Sequence, residues 1–574
     1  MLEQRNLILA IVLSMAVLFG FEYFVGSKAP QQAEQAAATT NGAPSSTPTP
    51  GDAPTAPGAP PAPGGAVTGE SRDQALASDV ARVDIATDSL HGSIRLKGAR
   101  IDDLTLVNYT ETVDPESPEI VLLSPTGAPQ PYYAEFGWVS AEQGVPVPGA
   151  DTVWTASSKT LGQNAPVTLT WNNGQGLRFV RRIAVDEHYM FTVTQTVENT
   201  GSVARTLYPY GLIKRDHKPQ TTDFYILHEG PLGVFDGTLK EYKYGDLKDD
   251  GQVKHATTGG WLGITDKYWL TALVTDQTMA VNARFLYAPK GNDEGYQADY
   301  TGPAFEVAPG ATVEITNRLF AGAKEVTLLD QYTDKLGITN FDLAIDFGWF
   351  YFLTKPFFLA LQFLHGILGN MGLAILGFTV FLKALFFPLA NKSYRSMSKM
   401  KLLQPEMKKL QERFKDDRQR MNTELMALYK KEKVNPLSGC LPIVIQIPVF
   451  FALYKVLFVS IEMRHAPFYG WIHDLSAPDP TTIANLFGLI PWDPPSMMMI
   501  GVWPLAMGIT MFLQQKLNPA PTDPTQAKIM MFLPVIFTFM LAHFAAGLVI
   551  YWTWNNLLSI TQQWIIMKRM GAKP

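Results

Sequence analysis

Cysteine is all but absent: Cys440 stands alone in 574 residues. That excludes an intramolecular disulfide framework and any cysteine cluster for zinc or iron–sulfur. Cys440 lies in an apolar stretch and reads as a small core residue. The 9 histidines form no HExxH pair. No GxxxxGK[ST] phosphate loop, no GxGxxG after a strand and no GxSxG elbow occurs. These absences remove the easy enzyme readings, though missing motifs do not by themselves exclude an enzyme. A large excess of one charge is missing too. The 47 basic and 52 acidic residues leave a net charge of −5, so the overall balance indicates no polyanionic partner.

What is present is a set of apolar runs. In "MLEQRNLILAIVLSMAVLFGFEYFVG", residues 1–26, Arg5 precedes an apolar run from Leu7 to Val25. The run is longer than the apolar part of a cleaved signal peptide, and no A-x-A site directly follows. It reads as an uncleaved transmembrane signal anchor. Residues 27–77, rich in Ala, Pro, Gly, Thr and Gln, cannot bury enough apolar area to offset ordering entropy. They are expected to form a disordered linker. From 78 to 335, short alternating runs recur between Gly, Asn, Asp and Pro turns. In "FTVTQTVENTG", for example, Phe191, Val193, Gln195 and Val197 alternate with threonines. This pattern predicts a large antiparallel β-sandwich. Residues 336–370 mix aromatics with Lys355, Pro356 and His365 and predict an amphipathic helix lying in a membrane interface. Apolar runs at about 371–390, 438–460, 496–516, 528–546 and 547–567 predict five further spans, with "HFAAG" as the turn between the last two. The expected fold class is thus a multi-domain membrane protein: an α-helical bundle of six spans plus a β-sandwich.

Charge orients this arrangement. Residues Lys392 to Lys433 hold 13 Lys/Arg against 6 Asp/Glu. The loop from Ile461 to Pro495 has Arg464 against Glu462, Asp474, Asp479 and Asp493, while Lys568, Arg569 and Lys573 follow the last span. The positive-inside rule puts 392–436 and both termini in the cytoplasm. The β-domain then lies outside, in a bacterial periplasm, and the chain is a multi-pass protein of the inner membrane.

Within 392–436, Leu403, Met407, Leu410 and Phe414 share one helix face, and Met421, Leu425 and Leu428 repeat the pattern. A helical hairpin is predicted, with Asp416 or Asp417 capping its second helix and Asn435-Pro436 ending it. Its basic faces carry Lys399, Lys401, Lys408, Lys409, Arg413 and Arg418. Two readings stand: a solvated loop whose charges serve topology only, or a contact surface for RNA, anionic lipid or a nascent chain. Few aromatics interleave with the basic residues, which argues against dedicated single-strand RNA binding.

Lys383 sits inside "MGLAILGFTVFLKALFFPLA". A charge near the centre of a span costs roughly 2.5–3.5 kcal/mol on insertion scales. It either snorkels to the headgroups or serves a function. Seven residues from the run's end, about 10 Å at ~1.5 Å per residue, snorkelling is stretched. Other polar groups recur in the spans. Thr379 lies one turn before Lys383, Gln446 breaks "IVIQIPVF", and Gln514 and Gln515 end the fourth span. Asn555, Asn556, Thr561, Gln562 and Gln563 crowd the last span. Together they favour a shared wet cavity on the cytoplasmic side. Spans two to six hold no acidic residue. This weighs against the alternative, an ion- or proton-coupled transporter, which needs a carboxylate relay. A carbohydrate-active enzyme in the β-domain would need a carboxylate pair, and none is legible.

The segments "KMKLLQPEMKKLQERFKDD", "MALYKKEKVNPLSGCLPIVIQIPVFFALY", "FYGWIHDLSAPDP" and "TDPTQAKIMMFLPVIFTFM" resemble, in order, signatures of the YidC/Oxa/Alb family of membrane insertases, in its Gram-negative branch. They cover most of 340–570. The resemblance implies a protein that inserts and helps fold integral inner-membrane proteins, alone or with the Sec translocon (SecYEG, SecDF). It implies a five-helix insertase core within 371–574, with a hydrophilic groove open to cytoplasm and lipid. It also implies a periplasmic β-supersandwich related to sugar-mutarotase folds. Implied partners are nascent membrane proteins, the translating ribosome and membrane lipids, with no specific nucleic-acid target, cofactor or metal. The groove's positive residue, generally arginine in the family, matches Lys383. Lysine keeps the charge but loses the planar five-donor fork. Thr379 and Trp552 match positions lining the substrate path, and Gln446, Gln514 and Asn555 are assigned to the same groove. The basic hairpin matches a cytoplasmic loop implicated in substrate and ribosome contact.

Overall fold

The computed structural model describes residues 71–77, 81–222, 227–289, 293–348, 350–414, 417–434, 441–487, 490, 492, 494–495, 498–519 and 524–571. The expected signal anchor, most of the linker, Cys440 and the Asn435-Pro436 stop lie outside them.

Among the described residues, strands from Arg82–Ala86 to Thr312–Ala323 build one sheet of 11 strands and one of 9. Pairing is antiparallel except at one edge, where Arg82–Ala86 runs parallel to Thr160–Leu161. The period-two pattern works as read. Along Met190–Asn199, Phe191, Val193, Gln195 and Val197 are buried and the threonines between them half-buried. Partner register on Thr312–Ala323 runs unbroken from Met190↔Phe320 to Glu198↔Thr312. The two sheets share one apolar core, to which Ile101 and Phe136 contribute from the larger and Phe179, Phe191 and Phe320 from the smaller. Arg181 bridges them. One guanidinium nitrogen donates to the Ala99 carbonyl at 3.0 Å and the other to the Phe136 carbonyl, with the group 4.9 Å above the Trp154 ring. Gly322 permits a close approach here: a Cβ at this position would lie 2.1 Å from Tyr189 Cγ.

The linker ends earlier than its composition indicates. Helix α1 (Arg72–Ala77) forms inside the expected 27–77 stretch, because Arg72 pairs with Asp103 and Ala75 is buried. Helix α2 (Tyr244–Asp250) lies between strands, and α3 (Val326–Leu336) leaves the sandwich.

The C-terminal helices are α4 (Tyr351–Leu368), α5 (Met371–Leu385), α6 (Phe387–Arg413), α7 (Arg418–Lys431), α8 (Leu441–Val459), α9 (Val502–Leu517), α10 (Pro524–Leu541) and α11 (Ala546–Arg569). Helix α4 buries Phe357, Phe358 and Leu361, exposes Phe352, Leu359, Phe363 and Ile367, and also carries Lys355, Gln362 and His365. Among the described residues it is the one single helix long and apolar enough to cross a membrane; α5 and α6 pass together as a bent pair. Their 69° bend falls at Phe386, not after residue 390 as the apolar run indicates. Pro388, in the first turn of α6, has no N–H for the Ala384 carbonyl, and its ring clashes with a continuous helix.

Helices α6 and α7 pack through Met407 and Leu425, both buried, and Tyr429 Oη lies 3.7 Å from Met407 Sδ. Asp417 caps α7, its Oδ1 accepting the Arg420 N–H at 3.0 Å. Asp417→Ala is expected to cost about 1 kcal/mol of hairpin stability, read as faster proteolysis between α6 and α7 with the sandwich unaffected.

Candidate functional site

Helix α5 starts where Asn370 Oδ1 accepts the Leu373 N–H at 3.0 Å and stops at the Pro388 bend. Lys383 therefore occupies the last turn of α5, where the negative end of the helix dipole favours a cation. Its Nζ donates to Ser559 Oγ at 2.8 Å, and that hydroxyl donates to the Asn555 carbonyl at 2.8 Å. Among the described residues no carboxylate pairs with Lys383. Thr379, one turn earlier on the same face, is buried and donates to the Ile375 carbonyl at 2.7 Å. From α8, Gln446 Nε2 donates to Tyr551 Oη on α11 at 2.6 Å.

These groups meet at a cavity of about 50 Å³, room for one or two waters. Its polar lining is Thr379, Lys383, Tyr394, Gln446, Tyr551 and Asn555, and its apolar lining includes Leu382, Phe386 and Val449. Four helices contribute: α5, α6, α8 and α11. The arrangement can hold a solvated cation against polar or anionic groups. Among the described residues no His/Cys/Asp/Glu group has metal-site geometry.

Thus Lys383, Thr379, Gln446 and Asn555 come together, while two expected groove residues do not join them. Gln514, on α9, is absent from the lining. Trp552 packs against Phe450 and Phe537, with ring centroids at 4.7 and 5.9 Å, beside Met507, Leu541 and Val549. Successive helical residues point about 100° apart, so Tyr551 takes the cavity face and Trp552 the apolar one. The polar crowd on α11 also divides. Asn556 Nδ2 donates to Thr510 Oγ1 at 3.2 Å, and Gln563 Nε2 to Asn518 Oδ1 at 3.1 Å, joining α11 to α9 away from the cavity. Sequence reasoning missed Tyr394, Tyr551 and Ser559. The last two had a signal: Tyr551, Asn555 and Ser559 follow i, i+4, i+8.

On the hairpin, Lys399, Lys408, Lys409 and Arg413 are exposed, and Lys401 is half-buried with Nζ 3.4 Å from the Lys516 carbonyl. The Arg418 side chain lies outside the described residues.

The sandwich and the helices meet in a polar seam. Glu462 Oε1 accepts the Val326 N–H at 3.1 Å, and Arg464 donates to the Thr110 carbonyl at 2.6 Å. Lys355 Nζ lies 2.8 Å from Asp330 and 3.1 Å from Asp342, and Lys455 Nζ 2.9 Å from Asp346.

The profile of the YidC periplasmic domain family matches residues 82–360, and that of the 60Kd inner membrane protein family matches 363–573. The membrane protein insertase YidC of Methylorubrum extorquens is 53% identical over 593 residues, covering 100% of this chain and 96% of its own. That of Nitrobacter hamburgensis is 54% identical over 591 residues, with 100% and 96% covered. A crystal structure described as an active YidC insertase with its first transmembrane domain resolved aligns at 16% identity over 84% of this chain and 92% of that one. Its TM-score is 0.34, too low to argue from.

Proposed function

The chain belongs to the YidC family of membrane protein insertases, and from that premise we propose that the cavity around Lys383 receives polar or acidic segments of a substrate during insertion. One observation carries this reading: a cation in a cavity between four helices whose bonded partner is a neutral hydroxyl, Ser559 Oγ at 2.8 Å. A cation satisfied by a carboxylate would have little attraction left for a substrate.

The physical account is short. A hydrophilic tail cannot cross ~30 Å of hydrocarbon cheaply. A wet cavity flanked by apolar helices shortens the dry distance. Lys383 lowers the local cost of an anionic group. Apolar flanks of the substrate then leave sideways into lipid, and their transfer drives insertion, so the step needs no nucleotide.

The protein is an inner-membrane insertase. The finer picture is ours. It has six spans with both termini cytoplasmic, the β-domain periplasmic, and the basic hairpin facing nascent chains and the ribosome. The Sec translocon is a partner for larger substrates. The transporter alternative requires proton flux through vesicles without substrate.

Protease protection in proteoliposomes tests the proposal, using a single-span substrate with an acidic tail. Wild type and Lys383→Arg are expected to protect the tail, and Lys383→Ala is not. If Ala protects equally, Lys383 is a snorkelling residue and the proposal fails.

A further inference from the structure

The chain between α8 and α9 contains "PTTIANLFGLIPWDPPSMMMI", residues 480–500, with one ionisable group, Asp493. The base of this loop is pinned. Asp479 Oδ2 accepts the Trp503 N–H at 2.9 Å, and Oδ1 accepts from Trp471 Nε1 at 3.1 Å and from the Thr481 hydroxyl at 2.7 Å. Thr481 Oγ1 accepts the Val502 N–H at 3.0 Å, so the loop satisfies two of the free N–H groups that begin α9. The fit is tight: a Cβ on Gly501 would lie 2.4 Å from Asp479 Cγ.

The other end of the loop is apolar and open. Leu486 and Phe487 are 53% and 56% exposed, and Ile490, Trp492, Met498 and Met499 are exposed as well. Leu486 and Phe487 hold φ of 49° and 59°, a left-handed conformation that bulky L residues avoid. Phe487 N–H donates to the Thr482 carbonyl at 2.9 Å, which holds the turn closed. Six large exposed apolar side chains between α8 and α9 are not the single scattered residues of an ordinary wet surface. Directly down the chain, α9 exposes Ile509, Phe512 and Leu513. The stretch carries one ionisable group, Asp493, so a protein partner has little charge against which to orient. A tryptophan with aliphatic neighbours above a polar base is, however, the composition that settles at the headgroup–acyl boundary.

We propose that the exposed apolar residues Leu486, Phe487, Ile490, Trp492, Met498 and Met499 insert into the outer leaflet as a membrane foot, fixing the depth of α9 and of the cavity helices packed beside it. The inference rests on the spanning arrangement proposed above.

Single cysteines at Leu486, Met498, Val113 and Phe532, in a full-length Cys440→Ala background, would carry an environment-sensitive fluorophore in phosphatidylcholine–phosphatidylglycerol vesicles. Val113 is a control of matched exposure, 51%, in the β-domain, and Phe532 is an open position on α10. Labels at 486 and 498 are expected to shift blue and lose most of their emission to lipid spin-labelled near the headgroup. The label at 532 should be quenched by a deep spin label, and the one at 113 by neither. Met498→Cys repeats the reading away from the left-handed residues, should labelling at 486 disturb the turn. If 486 and 498 behave like 113 while 532 is quenched, the foot is refuted and the spanning arrangement stands. If 532 is also unquenched, both fail. A blue-shifted but unquenched tip means burial against protein and overturns the proposal.

Discussion

In proteoliposomes, Lys383→Glu is expected to insert an acidic-tailed substrate about 30-fold more slowly than Lys383→Arg. At about 8 Å and an effective dielectric of about 40, between bulk water and a protein surface, two unit charges interact by about 1 kcal/mol. Turning attraction into repulsion doubles this to about 2 kcal/mol, a factor of roughly 30 in rate. A basic-tailed substrate should respond in the opposite sense, which a folding defect would not produce. The site tolerates the exchange chemically, because Ser559 Oγ, which accepts from Lys383 Nζ at 2.8 Å, can instead donate to a carboxylate. Arginine keeps the charge and adds donors. Equal rates for the Glu and Arg variants with both tails would sink the charge-attraction account.

The sandwich was legible because its signal is local. Alternation at Phe191, Val193, Gln195 and Val197 is a property of neighbouring residues, and burial follows it. The face shared by Thr379 and Lys383 was legible for the same reason, since i and i+4 overlie on a helix. The α5 stop was readable too, but the apolar run through Leu389 masked the meaning of Pro388. Apolarity predicts where a chain prefers lipid; proline decides where a helix can continue. Trp552 shows a different limit. It directly follows Tyr551, and only packing against Phe450 and Phe537 tells which of the two meets the cavity. Glu462 was visible only as a loop charge, because its partner Val326 lies 136 residues away.

Glu462→Gln is expected to stabilise the seam between sandwich and helices at pH 8 and to do so much less at pH 5. Glu462 Oε2 is buried without a hydrogen-bond partner, while Oε1 accepts the Val326 N–H at the start of α3. Burial pushes this carboxyl up to about 7, and the nearby Glu325, which accepts from Tyr109 and Tyr189, adds to the push. The unfolded chain would ionise near the ordinary value of about 4.3. Between those two values the folded state holds the extra proton, so stability falls as pH rises through the window and is flat above it. The full difference is on the order of 3 kcal/mol. Glutamine keeps the Oε1 acceptor for Val326 and removes the ionisation, so the variant should lack this fall. Melting of the detergent-solubilised protein at pH 5 and pH 8, with hydrogen exchange at the Val326 amide, measures it. A variant no more stable than wild type at pH 8 would mean that Glu462 remains ionised in the fold. The seam would then owe nothing to its proton.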